Sequence, residues 1–257
     1  MSALAQMGLV ARRSVRRTLR QPALVVPNLV FPLVLLAVNG SGLEAATDLP
    51  GFPVETYLDF ALAVAFIQAA LFAAITAGTA LAADVQSGFL DRLQLTPLTR
   101  LALLAGQLAG AMVLVLMGAV TYLAVGVVAG VEVQSGALGL LAIVAYALLM
   151  ALAFAGIGQV VGLRTGSPEA VQGVFPLFFA LLFLSSSNLP RPLLEQDWFR
   201  AVATYNPVSY LVEGVRSLVI TGWDAEALAL GVGCTLAVAV VAFAGASAAL
   251  RTRMART

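Results

Sequence analysis

Six long apolar stretches dominate the sequence and limit what the chain can fold into. Each is long enough to cross the hydrocarbon core of a bilayer as one helix, which takes about 20 mostly apolar residues. The predicted spans are residues 22–39, 57–83, 101–129, 137–163, 171–189 and 225–250. The connectors are too short to hold a soluble domain, so we expect residues 1–257 to form one membrane domain. The sequence therefore predicts an all-α polytopic membrane protein with six transmembrane helices.

The composition leads to the same class. Charged residues make up 11% of the chain, less than half of the roughly 25% that is usual in soluble domains. The mean hydropathy is +0.98, and so few charges cannot cover a water-facing surface. The 14 basic and 13 acidic residues nearly cancel, which argues against nucleic-acid binding driven by net charge.

Missing residue types narrow the chemistry further. The chain has no His, its only cysteine is Cys234, and all its basic residues are Arg. It therefore lacks the residues for an internal disulfide, for a His and Cys metal site, for the usual base of a Ser or Cys hydrolase and for a Walker phosphate loop. We expect no catalytic residue, metal or cofactor in this chain, and a membrane-embedded enzyme is the least favoured class.

The distribution of arginines predicts the orientation. Eleven of the 14 arginines precede the first span, follow the last, or lie in the connectors after spans two and four. Only Arg191, Arg200 and Arg216 fall on the other side. By the positive-inside rule both termini should be cytoplasmic. The Ala- and Arg-rich, Lys-free composition is typical of a GC-rich bacterial genome, so we expect a multi-pass protein of the bacterial plasma membrane.

The N-terminal residues 2–20 combine five arginines with apolar residues that recur at about a helical period, from Leu4 to Leu19. This pattern predicts an amphipathic helix on the cytoplasmic leaflet, with its arginines near anionic lipid headgroups. The alternative is a charge cluster that only sets the topology of the first span.

The cytoplasmic connector after span two has an unusual composition. Gly88 allows a turn, and Phe89, Leu90 and Leu93 place an apolar stripe on a short helix that Pro97 ends. From the spacing alone, an ordinary hairpin between two helices is the favoured interpretation. If the stripe is exposed, however, it needs a partner protein to cover it.

A second short helix is predicted outside the membrane core, before the last span. Asn206 is a good N-cap and Pro207 a good first-turn residue, and Tyr210, Glu213 and Arg216 follow at intervals of three. The segment is too short and polar to span, so we expect a re-entrant or interfacial helix at the outer leaflet. A structural ion pair between Glu213 and Arg216 is the interpretation that we favour for the pair itself. The alternative is an extracellular gate that moves when cargo leaves.

The predicted spans carry few ionisable groups, which argues against a proton relay. Phe72, Thr76, Phe175 and Phe179 are candidates for a path that takes an apolar or amphipathic cargo. Phenylalanines that simply face lipid are the commoner explanation.

Two of these segments resemble the permease subunits of ABC-2 type exporters, particularly the daunorubicin-resistance-like branch. The connector matches that family's acid, glycine, Asp-Arg, proline and arginine at Asp84, Gly88, Asp91, Arg92, Pro97 and Arg100. The outer segment matches its pattern Asn-Pro-x-x-Tyr-x-x-Glu-x-x-Arg over residues 206–216.

The resemblance implies a half-transporter. Two six-span permeases, usually identical, would pair with two separately encoded ATPase subunits that bind ATP and Mg²⁺, and a hydrophobic or amphipathic drug, antibiotic or lipid-like compound would be the cargo. The connector would be the helix that docks into the ATPase, through Asp84, Gly88, Phe89, Leu90, Asp91, Arg92, Leu93, Pro97 and Arg100. The competing hypothesis is a stand-alone channel or proton-coupled carrier, and an ATPase gene beside this one would separate the two.

Overall fold

The computed structural model describes residues 3–94 and 99–254, and within these ranges the chain is helical and contains no strand. The helices are α1 (Ala3–Leu19), α2 (Pro22–Gly42), α3 (Tyr57–Gln86), α4 (Phe89–Gln94), α5 (Arg100–Val128), α6 (Gly136–Thr165), α7 (Pro168–Gly173), α8 (Phe175–Phe183), α9 (Asp197–Tyr205), α10 (Pro207–Arg216) and α11 (Ala225–Met254). Short helical turns cover Glu44–Asp48, Arg191–Leu193 and Ser217–Thr221.

Five of these helices, namely α2, α3, α5, α6 and α11, are long and apolar enough to cross a membrane. They correspond to predicted spans one to four and six. The predicted fifth span, 171–189, is instead divided between α7 and α8, with a break at Val174. Pro176 follows the break and has no N–H to donate to the carbonyl oxygen of Gln172. In the described part of the chain, five helices meet the length and hydropathy expected of a membrane span. The count of six spans therefore stays a prediction.

Helix α3 forms the centre of the bundle. In its most apolar stretch 89% of the residues are buried, compared with 17% in α2 and 22% in α11. Helices α3 and α6 approach until their backbones touch, because both carry glycine at the crossing. A Cβ atom at Gly78 would lie 2.6 Å from the carbonyl oxygen of Gly158. Small residues thus serve close helix packing at this crossing.

Helix α1 is present as predicted, and it packs along α5. The side chains that it buries are polar, namely Gln6, Ser14 and Thr18. The Ser14 hydroxyl donates to the carbonyl oxygen of Gln107 over 2.8 Å and accepts from the Gly110 N–H over 3.2 Å. Val10 also contacts the bundle, against Gly106 of α5, whereas Leu4, Leu9 and Leu19 remain exposed. The face that contacts the protein is therefore mainly polar, and three leucines of α1 point away from the bundle.

The segment before α11 is more helical than the sequence indicated. Helix α9 is an additional amphipathic helix that hydropathy did not reveal. Helix α10 begins as predicted, because the Asn206 side chain accepts from the Val208 N–H over 2.9 Å and Pro207 occupies the first turn. A turn of π-helix then continues the chain to Gly222, whose φ of +90° ends it. The re-entrant placement of α10 at the outer leaflet stays a prediction.

Candidate functional sites at the two ends of the bundle

Asp84 organises one end of the bundle. It lies in the last turns of α3 and is only 2% exposed. Its two carboxylate oxygens accept from Arg13 Nη1 and Nη2 over 2.9 and 2.7 Å, from Arg17 Nη1 over 3.0 Å and from Gln107 Nε2 over 2.5 Å. One carboxylate therefore ties α1, α3 and α5 together. We call these four residues the Asp84 cluster.

The Asp84 cluster carries an excess of positive charge. Two guanidinium groups, each about one-third exposed, share one buried carboxylate. The hydrogen bond to Asp84 raises the pKa of Arg13, and partial burial opposes that rise. By formal charge, two arginines against one carboxylate leave the Asp84 cluster with a net charge of +1.

Helix α4 folds back onto this end of the bundle. Gly88, with φ of +64°, makes the turn that allows it. The Phe89 ring lies 3.8 Å below the Arg13 guanidinium carbon, a cation–π contact that joins α4 to α1. Leu90 is 1% exposed and packs among the apolar ends of α3, α5, α6 and α11.

Two of the residues predicted to dock into an ATPase are buried within this chain, and the docking role of the connector stays a prediction. Asp84 belongs to α3 and is buried by α1, and Leu90 is buried inside the chain. The short helix was predicted correctly, but hydropathy alone could not distinguish a face that packs inward from one that meets a partner. Phe89 stays partly exposed, and Arg92 is exposed, with its Nη2 donating weakly to the Ser87 carbonyl oxygen over 3.4 Å.

Four other predicted docking residues are described in part or not at all. Pro97 lies outside the described residues. Asp91 and Leu93 lie in α4 and Arg100 begins α5, but their side chains also lie outside the described part.

Glu213 organises the opposite end of the bundle. Its carboxylate accepts from Arg191 Nε and Nη2, each over 2.7 Å, and from the Ser186 hydroxyl over 2.8 Å. The Arg191 guanidinium carbon lies 4.3 Å from the centre of the Tyr210 ring. We call these four residues the Glu213 cluster. The predicted ion pair between Glu213 and Arg216 is therefore wrong, because Arg191, which follows α8, occupies the carboxylate in two-pronged geometry.

Arg216 turns towards the centre of the bundle instead. It is 7% exposed, and its guanidinium donates to the carbonyl oxygens of Phe60, Ser186 and Ser187. Its guanidinium carbon also lies 3.3 Å from the centre of the Phe60 ring. Arg216 thus fastens α10 to the start of α3 and to the chain that follows α8.

The Asn206 side chain has two roles. Besides capping α10, its Nδ2 donates to the carbonyl oxygens of Leu181 and Leu184 over 2.7 and 3.0 Å. It therefore also holds the end of α8. The Tyr210 hydroxyl donates to the Thr204 carbonyl oxygen over 3.0 Å and so fixes α9 against α10.

A pocket of about 450 Å³ opens beside Arg191, Glu213 and Arg216. Helix α10 thus forms one wall of a cavity that is lined by two arginines and two carboxylates, the second carboxylate being that of Asp224. The predicted gate residues all lie in this region. Arg191 was missed, although its position between Pro190 and Pro192 in an apolar connector was a signal of a fixed side chain.

The predicted path residues also come together. The Phe72 and Phe175 ring centres are 5.3 Å apart, and those of Phe175 and Phe179 are 4.6 Å apart. Phe31 of α2, which the sequence did not single out, completes the group at 5.9 Å from Phe72 and 5.7 Å from Phe179. We call these four rings the Phe cluster. Thr76 lies one turn beyond Phe72 on α3 and lines a separate, smaller pocket.

These features define a multi-pass helical membrane protein with a charged cluster at each end. The family model for ABC-2 type transporters matches residues 5–220, which include both clusters and the Phe cluster. The chain therefore belongs to the ABC-2 type transporter family.

A relative comes from Streptomyces coeruleorubidus, where it is described as a daunorubicin resistance ABC transporter permease protein. It is 25% identical over 195 residues, and the match covers 76% of this chain and 66% of the relative. The family expected from the two sequence motifs is thereby confirmed.

Proposed function

We propose that the chain is the membrane subunit of an ATP-binding cassette exporter that moves a hydrophobic or amphipathic compound out of a bacterial cell. The observation that supports this most is the family match, which extends from α1 through α10. The similarity to a drug-resistance permease supports the choice of cargo class. The assembly would contain two copies of this chain and two ATPase subunits, which bind ATP and Mg²⁺, and no nucleic acid.

In this proposal the Asp84 end of the bundle is cytoplasmic, and both termini lie there. Helix α4 would meet the ATPase through its partly exposed surface, which includes Phe89 and Arg92. A movement of α4 would then be transmitted to α1 through the Arg13–Phe89 contact, and to α3 and α11 through Leu90. Asp84 would act in this relay by holding α1 in place, without touching the ATPase.

Co-purification with an ATPase encoded beside this gene tests the assembly. We expect Arg92→Glu to weaken co-purification and to lower ATP hydrolysis by the reconstituted complex, because it reverses an exposed charge on α4. Arg20→Glu is the matched control, since it reverses another exposed arginine on the same predicted side, away from α4. Equal effects of both variants would contradict a docking role for α4. Transport of cargo without any ATPase would favour the channel or carrier.

The Glu213 cluster is the proposed outer gate. Glu213→Gln removes the charge that holds Arg191 and keeps a side chain of similar size. If α10 gates the exit, this variant should fold and retain its ATPase but export less cargo per folded molecule. Glu195→Gln is the matched control, because it makes the same change at an exposed carboxylate on the same predicted side. Normal export by Glu213→Gln would leave Glu213 a purely structural residue.

A further inference from the structure

A small pocket, here called the polar pocket after the polar side chains in its lining, lies where α1, α2, α3 and α7 meet. Its volume is about 230 Å³. The polar side chains that line it are Arg17, Thr18, Gln21, Thr76, Thr79 and Gln172, and none of the described lining residues is acidic. A pocket for an entire drug-sized molecule usually measures about 300–1,000 Å³. This pocket is therefore large enough only for the head of a larger ligand.

The pocket offers positive charge and hydrogen-bond donors. Arg17 shares the single carboxylate of Asp84 with Arg13, so the arginines outnumber the acid. Arg17 uses its Nη1 for Asp84 and for the Ala80 carbonyl oxygen. Its Nε and Nη2 donate to no residue among those described, and neither does the amide of Gln172, on the opposite wall. Donors of this kind are suited to the oxygens of an anion.

Three segments of the chain each contribute one residue to the lining of the polar pocket and, elsewhere on the same segment, one ring to the Phe cluster. On α3, Phe72 comes one turn before Thr76. Between α7 and α8, Phe175 comes three residues after Gln172. On α2, Phe31 comes ten residues after Gln21, about 15 Å along a helix. A molecule whose head occupies the pocket would therefore find aromatic rings beside its body.

We propose that this pocket binds the anionic head of an amphipathic molecule, with Arg17 as the recognising residue and the Phe cluster against the apolar body. The head would be a phosphate, sulfate or carboxylate, carried either by a membrane phospholipid or by the cargo. The interpretation as a cargo site rests on the proposed export function, whereas the binding chemistry does not.

The test is equilibrium binding of radiolabelled dodecyl phosphate to the full chain in nanodiscs of neutral phosphatidylcholine. We expect Arg17→Gln to weaken binding about tenfold or more, because it removes a charge-assisted interaction. Arg16→Gln is the matched control, since it makes the same change one residue away on the exposed face of α1, and it should alter binding less than twofold. Gln172 lines the pocket from α7 and has no contact with Asp84. The variant Gln172→Leu therefore tests the pocket without loosening α1, and it should weaken binding severalfold.

Competitors separate the sources of the head. Inorganic phosphate alone should not displace the probe, and dodecyltrimethylammonium should compete poorly. Displacement by phosphatidylglycerol added to the nanodiscs would assign the pocket to a lipid headgroup, and its failure would assign the pocket to cargo. Equal losses in Arg16→Gln and Arg17→Gln, unchanged binding in Gln172→Leu, or equal binding of the cationic amphipath would overturn the proposal. None of these measurements needs an ATPase, so a failure of the export function would leave them valid.

Discussion

At the scale of single residues, Glu213 and Arg216 lie three positions apart on α10 yet have different partners. Local spacing predicted a pair, since acids and bases three residues apart are neighbours on a helix. The actual partners come from distant segments, namely Arg191 for the acid and the carbonyl oxygens of Phe60, Ser186 and Ser187 for the base. The sequence singled out Glu213 and Arg216 but not Arg191, because tertiary packing decides which residues pair.

A double-mutant cycle distinguishes these two arrangements. We expect Glu213→Gln and Arg191→Gln to be coupled by about 1 kcal/mol, because their side chains form a two-pronged ion pair that remains partly exposed. The corresponding cycle between Glu213 and Arg216 should show a much smaller energy, since no ion pair joins them. Thermal unfolding of the purified variants measures both cycles. A larger coupling to Arg216 than to Arg191 would contradict the described geometry.

At the scale of helices, hydropathy predicted the five long helices within a few residues but did not predict the break inside the fifth apolar stretch. A window of hydropathy sees residues 171–189 as continuously apolar, and it cannot register the hydrogen bond that Pro176 fails to make. Hydropathy did not predict helix α9 for the opposite reason, because this helix is amphipathic and too polar for a span. The inward face of α4 also required the structure, since burial of Leu90 depends on residues that are remote in sequence.

The crossing of α3 and α6 provides a prediction about a whole element. We expect Gly158→Ala to lower the yield of folded protein sharply, because the new methyl group would meet the backbone of Ala74, which cannot rotate away. Gly233→Ala is the matched control on α11, where an added Cβ would meet no atom within 4 Å. The ratio of monodisperse to aggregated protein on size-exclusion chromatography measures the effect. Similar yields for both variants would mean that the helices cross elsewhere.

At the scale of the whole molecule, the two charged clusters lie at opposite ends of the central helix. Phe60 and Asp84 are 24 residues apart on α3, which corresponds to about 36 Å. That length suits a helix crossing a membrane of ordinary thickness. The arginine distribution then predicts which cluster faces the cytoplasm.

Single cysteines test that orientation in a Cys234→Ser background. Thr47→Cys and Gln134→Cys should react with a membrane-impermeant thiol reagent in intact cells, because both positions lie at the Glu213 end. Gln86→Cys and Thr252→Cys should react only after the cells are opened. All of these side chains except the half-buried Thr47 are exposed, so a lack of reaction at Gln86 reports location. Labelling of Gln86 in intact cells would reverse the assigned orientation.

The Asp84 cluster has a consequence for how the protein is made. Helix α1 is synthesised before α3 and α5, but its buried contacts come from the end of α3 and from α5, whose residues emerge at least 60 positions later. Arg13 and Arg17 therefore lack their carboxylate until α2 and α3 have been made, and the remaining contacts of α1 must wait for α5. Docking of α1 is thus a late step of biogenesis. A nascent chain that stalls before Asp84 would display unneutralised arginines to the machinery that inspects newly made membrane proteins.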